Sequence, residues 1–206
     1  MERKEAITRL STLIGKDVHA LAAKHGVSVR GSGGKVNKGW AGHVFERFLG
    51  LPINSAQAPN FGSWELKVVP LKRTRAGDLR IKETMAITMI DPVQVKATPF
   101  EDSHLLTKLR RAVIVARVVG DDVDDPSTIH SINTLDLSGE LLDVVRQDYE
   151  LVRACLRDPK RGFESLTGSM GTYVQPRTKG AGHGSTSRAF YARPVFLEQI
   201  IDLNQD

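Results

Sequence analysis

Residues 112–119 read AVIVARVV, the most apolar stretch in the chain. Small and β-branched residues at consecutive positions, not alternating with polar ones, suit a central strand covered on both faces. A chain built around such a strand must supply layers for both sides. Ile7, Leu10, Leu13, Ile14, Val18, Leu21 and Ala22 keep a 3.6-residue spacing and predict a helix over 3–24. WAGHVFERFL (40–49) predicts a second amphipathic helix, stopped by Gly50 and Pro52. WELKVVPL (64–71) predicts a strand that Pro70 ends or places at an edge, and IKETMAITMI (81–90) predicts the next, joined to it as a hairpin. HLLTKLRR (104–111) reads as helix or turn leading into the apolar strand, and GDDVDDPS (120–127) as an exposed loop. A long helix follows over 138–158 with Ser138 as its cap. TYVQPRT and RAFYARP predict short strands around a glycine-rich loop, and PVFLEQIIDL predicts a closing helix with proline near its start. The order predicts an α/β (α+β) fold, a central mixed sheet flanked by helices, in one domain over 1–206.

Charge narrows the class of partner. Lys and Arg total 29 against 24 Asp and Glu, a net charge of +5. The excess is uneven. KVVPLKRTRAGDLRIK (67–82) carries six basic residues and one acid, Asp78, while acids gather in GDDVDD at 120–125. Such segregation points to a polyanionic partner. Cys155 is the one cysteine, so no internal disulfide is available and a reducing compartment is expected. No apolar run is long enough for a membrane helix, and the charged start MERKEAITRL lacks the apolar core of a secretory signal. A cytoplasmic protein is expected. His19, His25, His104 and His130 show no metal-ligand spacing, and one cysteine excludes a Cys-rich zinc site.

The segment Pro59-Asn60-Phe61-Gly62-Ser63-Trp64-Glu65-Leu66-Lys67 carries the chemistry. Glu65 and Lys67 are two apart on a predicted strand and therefore share a face. Alone, a Glu-x-Lys pair reads as a surface ion pair. With a metal it suits phosphodiester hydrolysis: the carboxylate holds Mg²⁺, the metal polarises the phosphoryl oxygen, and the lysine orients the attacking water.

Pro-Asn, four residues, then Glu-Leu-Lys resembles the PD-(D/E)xK nuclease motif, with Asn60 where Asp is expected. KGWAGHVFERFLG (38–50) is similar to the glycine-plus-helix segment ahead of that motif in the branch holding MutH and the MvaI- and BcnI-like restriction endonucleases. Glu83-Thr84, HLLTKLRRAVIVARV, TYVQPRTKG and SRAFYARPVFLEQII resemble further signatures of that branch, in the same order. The resemblance implies a PD-(D/E)xK restriction-endonuclease-like fold, with an N-terminal helix and loop over about 1–37, a catalytic core over 38–120 and a DNA-recognition segment with closing helix over 171–201. By position it implies metal binding by Asn60, Glu65 and the Leu66 carbonyl, and catalysis by Lys67. Glu46 is either a supporting carboxylate or an exposed helix glutamate, and Lys108 either a further active-site lysine or a phosphate-binding or solvated one. The implied cofactor is Mg²⁺, with Mn²⁺ or Ca²⁺ as substitutes. The implied substrate is double-stranded DNA, cut at specific sites by a monomer that nicks one strand and then the other. The alternative is a mismatch-repair nicking enzyme directed by partner proteins, and a non-catalytic DNA-binding module is the second alternative. The neutral amide of Asn60 is a poorer Mg²⁺ ligand than a carboxylate, so the chain as it stands is expected to be inactive. Intact Glu65 and Lys67 favour a substituted form over a decaying site.

A second cluster lies in YVQPRTKGAGHGSTSRAFYARP (173–194), where Arg177, Lys179, His183, Arg188 and Arg193 are interleaved with glycines. Glycine lets the backbone approach a groove, and Arg or Lys reaches guanine acceptors. Each basic residue reads equally as a phosphate contact, and His183 as a loop hydrogen bond. Phe190 and Tyr191 are expected in the core. The Gly-His-Gly run resembles the MvaI- and BcnI-like members. Lys72, Arg73 and Arg75 add a basic turn expected to contact DNA.

Overall fold

The computed structural model describes residues 1–51, 61–179 and 187–203. Three helices come first: α1 (Arg3–Ser11), α2 (Val18–Lys24) and α3 (Trp40–Phe48). Then follow β1 (Glu65–Arg73), β2 (Leu79–Ile81), β3 (Met85–Met89), α4 (Pro92–Ala97) and α5 (His104–Leu109). The rest is β4 (Arg111–Val119), β5 (Ser127–Asp136), α6 (Gly139–Arg157), β6 (Val174–Thr178), β7 (Arg188–Ala192) and α7 (Pro194–Leu197). The strands form two sheets, one ordered β2-β1-β4-β5 and one ordered β3-β7-β6. β1 and β4 run parallel and every other pairing is antiparallel.

The apolar strand is central, as its composition predicts. Val113 and Val115 of β4 face a core made with Leu10, Val18, Trp40, Val44 and Phe45 of the first three helices. Ala112, Ile114 and Ala116 face a second core made with α5, α6, the small sheet and α7. A mixed sheet covered on both sides by helices is thus the architecture, an α+β fold. No helix among the described residues is long and apolar enough to cross a membrane.

Four local expectations are corrected. The helix expected over 3–24 is two helices. Gly15 adopts φ +80° between them, its N–H reaches the Ile129 carbonyl at 2.9 Å, and Ile129 returns a bond to Lys16. Docking on β5 thus outweighs the helical periodicity. The strand expected over 81–90 divides: β2 completes a hairpin with β1, whereas β3 leaves for the small sheet and pairs with β7. The closing helix shortens to four residues, α7, with proline at its first turn as expected. Ser138 stands at the N-cap of α6, but its hydroxyl bonds the Asp136 carbonyl and not a helix N–H.

Pro70 lies inside β1, not at its end. A proline nitrogen and its own carbonyl point to the same side of a strand, here the β2 side, where pairing begins only at Leu71. The missing N–H therefore removes no bond from the β4 ladder; on the β2 side the Pro70 carbonyl accepts from Lys82 at 2.9 Å, and only the reciprocal bond is lost. β5 carries no clear sequence signal. A bulge against Ala116 and Arg117 spaces its apolar residues at 129, 132 and 135, a period that does not read as a strand.

Asp17 joins the N-terminal helices to the sheet. Its carboxylate accepts from the backbone of Ala20, capping α2, and from Ser127 at the start of β5, both at 3.0 Å. Burial alone would raise this carboxyl, but hydrogen bonds from Ser127, Ala20 and His19 outweigh it and hold it below the ordinary value of 3.8. Asp17→Ala should cost about 1 kcal/mol of unfolding free energy, the usual loss for an N-cap. Because the folded value is depressed, the contribution is complete above the ordinary value and disappears as pH falls through the folded one. Denaturant melts of the two proteins at neutral and strongly acidic pH check this; a difference that persists in acid would contradict it.

Candidate active site

β1 enters the sheet at Glu65, which pairs with Ala112 at the start of β4. Among the described residues β1 has a neighbour on one side only until Leu71, so this end of the strand lies at an open edge. Trp64, fully buried, anchors the entry by stacking on Phe61 with ring centroids 3.9 Å apart and by donating to the Met1 carbonyl. Along β1, Leu66 faces the core of the N-terminal helices, while Val69 and Leu71 face the other core. Strand alternation puts Glu65 and Lys67 on the Val69 face.

The Glu65 carboxylate is 3% exposed, and Lys67 approaches it at 3.0 Å with its own side chain 17% exposed. A third group completes the cluster. Lys108, 8% exposed, places its Nζ 3.2 Å and 3.1 Å from the two Glu65 oxygens. Chain connectivity explains the meeting. Ser103 caps α5 by accepting from Leu106, and the helix ends directly before β4. Parallel pairing of β4 with β1 then returns Lys108 to Glu65. The solvated-lysine reading of Lys108 fails because its side chain is buried. The three groups carry one formal positive charge in sum, an arrangement suited to a phosphate.

Glu46 is also buried, at 9% exposure, so the exposed-glutamate reading is overturned. It lies on α3, whose apolar side packs with Leu66 against the sheet. Asn60 and His183 lie outside the described residues.

The basic residues fall into two places. Lys72, Arg73 and Arg75 sit at the other end of β1 and in its turn, exposed, with Arg73 donating to the Gly77 carbonyl. At roughly 3.3 Å per residue, Arg73 is about 26 Å along the strand from Glu65. Arg177 and Lys179 are exposed at the end of β6. The small sheet is closer to the chemistry, because β3 packs on α5, the helix carrying Lys108. Arg177 donates to the Thr84 hydroxyl at 2.8 Å and lies over the Tyr191 ring, which gives the Glu83-Thr84 pair a positioning partner. Arg188 and Arg193 are engaged inside the protein. Arg188 donates to the carbonyls of Phe163 and Glu164 and to the Thr178 hydroxyl, and Arg193 donates to the carbonyls of Gly168 and Met170. Phe190 is buried, whereas Tyr191 is half-buried.

Sequence reasoning counts Arg117 among the basic residues but gives it no role of its own. Burial lowers its guanidinium below the ordinary value, with Glu83 opposing that effect, and it lies over the Trp40 ring at 5.1 Å. Its position inside the apolar run AVIVARVV was the available signal: an arginine there needs aromatic and hydroxyl partners.

A buried carboxylate thus stands between two lysines at the open edge of a mixed sheet, an arrangement suited to acting on a phosphate. Sequence comparison narrows the class. Residues 49–148 match the family described as DNA mismatch repair enzyme MutH. The chain is 26% identical over 216 residues to the DNA mismatch repair protein MutH of Shewanella woodyi (strain ATCC 51908 / MS32), covering 96% of this chain and 90% of that protein. A solved complex of the restriction endonuclease MvaI with cognate DNA substrate aligns over 93% of this chain and 94% of that one, at 12% identity and a TM-score of 0.40. Over these spans the chain is similar to MutH proteins.

The basic residues of the small sheet should separate by what they hold. Arg177→Ala should weaken binding to a preferred duplex by roughly 1–3 kcal/mol if it reads a base, with little change in melting temperature. Arg188→Ala should lower the melting temperature as well, because three internal bonds go with it. Paired fluorescence-binding and thermal-melt measurements decide; equal melting shifts for the two variants would contradict the division.

Proposed function

We propose that this chain is a DNA endonuclease that hydrolyses a phosphodiester of double-stranded DNA with a divalent cation, Mg²⁺ in the first place and Mn²⁺ or Ca²⁺ as substitutes. The observation that carries the reading is the Glu65 carboxylate held between Lys67 and Lys108 at the open edge of β1. Oxygen donors from Glu65 and the Leu66 carbonyl fit a hard cation that keeps several waters. Among the described residues no three His, Cys, Asp or Glu gather into a cage. The remaining ligands are therefore assigned to Asn60, to substrate phosphate and to water. A bound cation supplies polarisation of the phosphoryl oxygen and charge for the leaving oxygen. Lys67, the more exposed of the two lysines, orients the attacking water and offsets charge developing on the phosphate. Lys108 bridges both oxygens of Glu65 and fixes the carboxylate's direction. Glu46 is assigned a supporting role from α3. DNA contact is assigned to Arg177 and Lys179 on the small-sheet side and, from its place in the sequence, to His183, with Arg188 and Arg193 shaping the small-sheet surface. Lys72, Arg73 and Arg75, given their distance along β1, are assigned to flanking phosphates.

One cluster of this kind among the described residues fits one strand cut per engagement. The MutH family match and the Shewanella relative favour a nicking enzyme of mismatch repair, called to its site by repair proteins. Sequential nicking by a monomeric restriction enzyme is the second reading, favoured by the Gly-His-Gly run at 182–184. The buried free Cys155 accords with a reducing cytoplasm.

Cleavage of supercoiled plasmid with Mg²⁺ tests the reading. The Asn60 form should bind DNA and cut it barely or not at all, and Asn60→Asp should raise cleavage on the order of a hundredfold. Adding Lys67→Ala to that variant should abolish the gain. Nicked circles that need added repair proteins indicate the repair enzyme, and linear product at discrete sites indicates restriction. Binding with no cleavage by any variant would indicate a DNA-binding module and defeat the catalytic reading.

Affinity itself should fall steeply with salt, since Lys and Arg groups displace condensed counterions from the phosphates. A titration that stays flat from low to moderate salt would remove DNA as the partner.

A further inference from the structure

The helix α6 contains a further buried carboxylate, which the proposed chemistry does not use. Asp148 is 4% exposed in the middle of the helix. Its oxygens accept three backbone hydrogen bonds, from Thr172, Tyr173 and Val174, each at 2.7 Å. These three N–H groups belong to consecutive residues at the root of β6. A carboxylate that accepts several backbone donors is held tightly and holds them in return, because charge-assisted bonds are short and about twice as strong as neutral ones. The preceding residue shows how close the approach is. Gly171 has φ +78°, and a Cβ there would collide with the Val174 carbonyl and come within 3.1 Å of the Asp148 carboxylate. No other residue type fits that turn without displacing it.

The root is closed from the other strand as well. The Arg193 backbone donates to the Tyr173 carbonyl at 2.8 Å, and its guanidinium donates to the carbonyls of Gly168 and Met170. From this root β6 and β7 run in strict register, Val174 opposite Ala192 through Thr178 opposite Arg188, and the ladder continues to Lys179, which donates to the Ser187 carbonyl. Arg177 and Lys179 therefore leave the protein in a direction set at Thr172–Val174. Tyr149, the next residue of α6, lies between Phe190 of β7 and Phe100 ahead of α5, which seats the same helix against the segment leading to Lys108.

We infer that Asp148 is a positioning residue for DNA discrimination: it fixes the root of the β6–β7 hairpin, and with it the presentation of Arg177 and Lys179 to a DNA groove, without touching DNA. The inference rests on the reading of this chain as a DNA endonuclease. Asp148→Asn keeps the size of the side chain and turns one of its acceptors into a donor facing backbone N–H groups. It leaves the Glu65 cluster and every basic side chain in place.

The test uses the full chain and a randomised pool of DNA duplexes. Selection with the unaltered protein identifies its preferred duplex, and the affinities of both proteins are then measured on that duplex and on a scrambled one. Asp148→Asn should reduce the ratio of preferred to scrambled affinity at least about tenfold, as expected for one misplaced base contact, while scrambled binding stays nearly constant. Amide exchange at Thr172, Tyr173 and Val174 should accelerate while the α6 amides keep their protection. A residue serving stability alone would lower the melting temperature and leave the ratio intact, and that result overturns the inference. If Asp148→Asn does not fold, Gly171→Ala disturbs the same root with the carboxylate in place and must give the same loss of ratio. An unaltered protein that binds every duplex equally defeats the DNA-reading hairpin altogether. Discrimination retained in the variants defeats Asp148 alone.

Discussion

The parallel pairing of β1 with β4 governs the rest of the structure. Parallel neighbours cannot be joined by a tight turn. The chain must leave after β1, build β2, β3, α4 and α5, and return to start β4 beside Glu65. That return delivers Lys108, one turn of chain before β4, onto the carboxylate. Register matters as much as direction. A slip of one residue would turn Glu65 and Lys67 into the apolar core around Trp40 and expose Leu66 in their place. The packing of Leu66 and Val69 into opposite cores prevents that slip, so the site is positioned by the hydrophobic layers beneath it.

Burying Glu65 with two lysines is a poor choice for stability. Desolvation of the ions offsets much of their attraction, and apolar residues of similar volume often serve as well or better. The arrangement makes sense where a carboxylate and ammonium groups are needed beside a phosphate. Asp148 solves the same solvation problem differently, with three backbone dipoles. Ammonium groups on long side chains can reorient around a substrate, whereas backbone N–H groups in a strand cannot. The first carboxylate is thereby suited to chemistry and the second to holding a hairpin still.

Much of the site was legible because its information is local. Strand alternation alone places Glu65 and Lys67 together, and motif order places Asn60, Glu65 and Lys67 in a nuclease pattern. The central role of β4 follows from its composition, and the ends of α3 follow from Gly39 and Gly50 on either side of an amphipathic run. The split of 81–90 between two sheets was not legible, because both halves carry ordinary strand residues and only the competing partner β7 separates them. β5 was hidden for a related reason, its apolar period being broken by a bulge that answers to β4.

The sequence by itself determined the helix-and-sheet composition of the fold, the shared face of Glu65 and Lys67, and the basic segments around 72–80 and 177–193. These follow from spacing along the chain and need no distant partner. The tertiary structure decided what each charge does. Lys108 became part of the cluster because β4 returns beside β1. Arg188 and Arg193 became internal braces because loop carbonyls meet them, while Arg177 stayed exposed beside Thr84. A charged side chain in a sequence carries only a capacity for partners; packing between residues far apart in the chain determines which partner excludes water and therefore which role the charge takes.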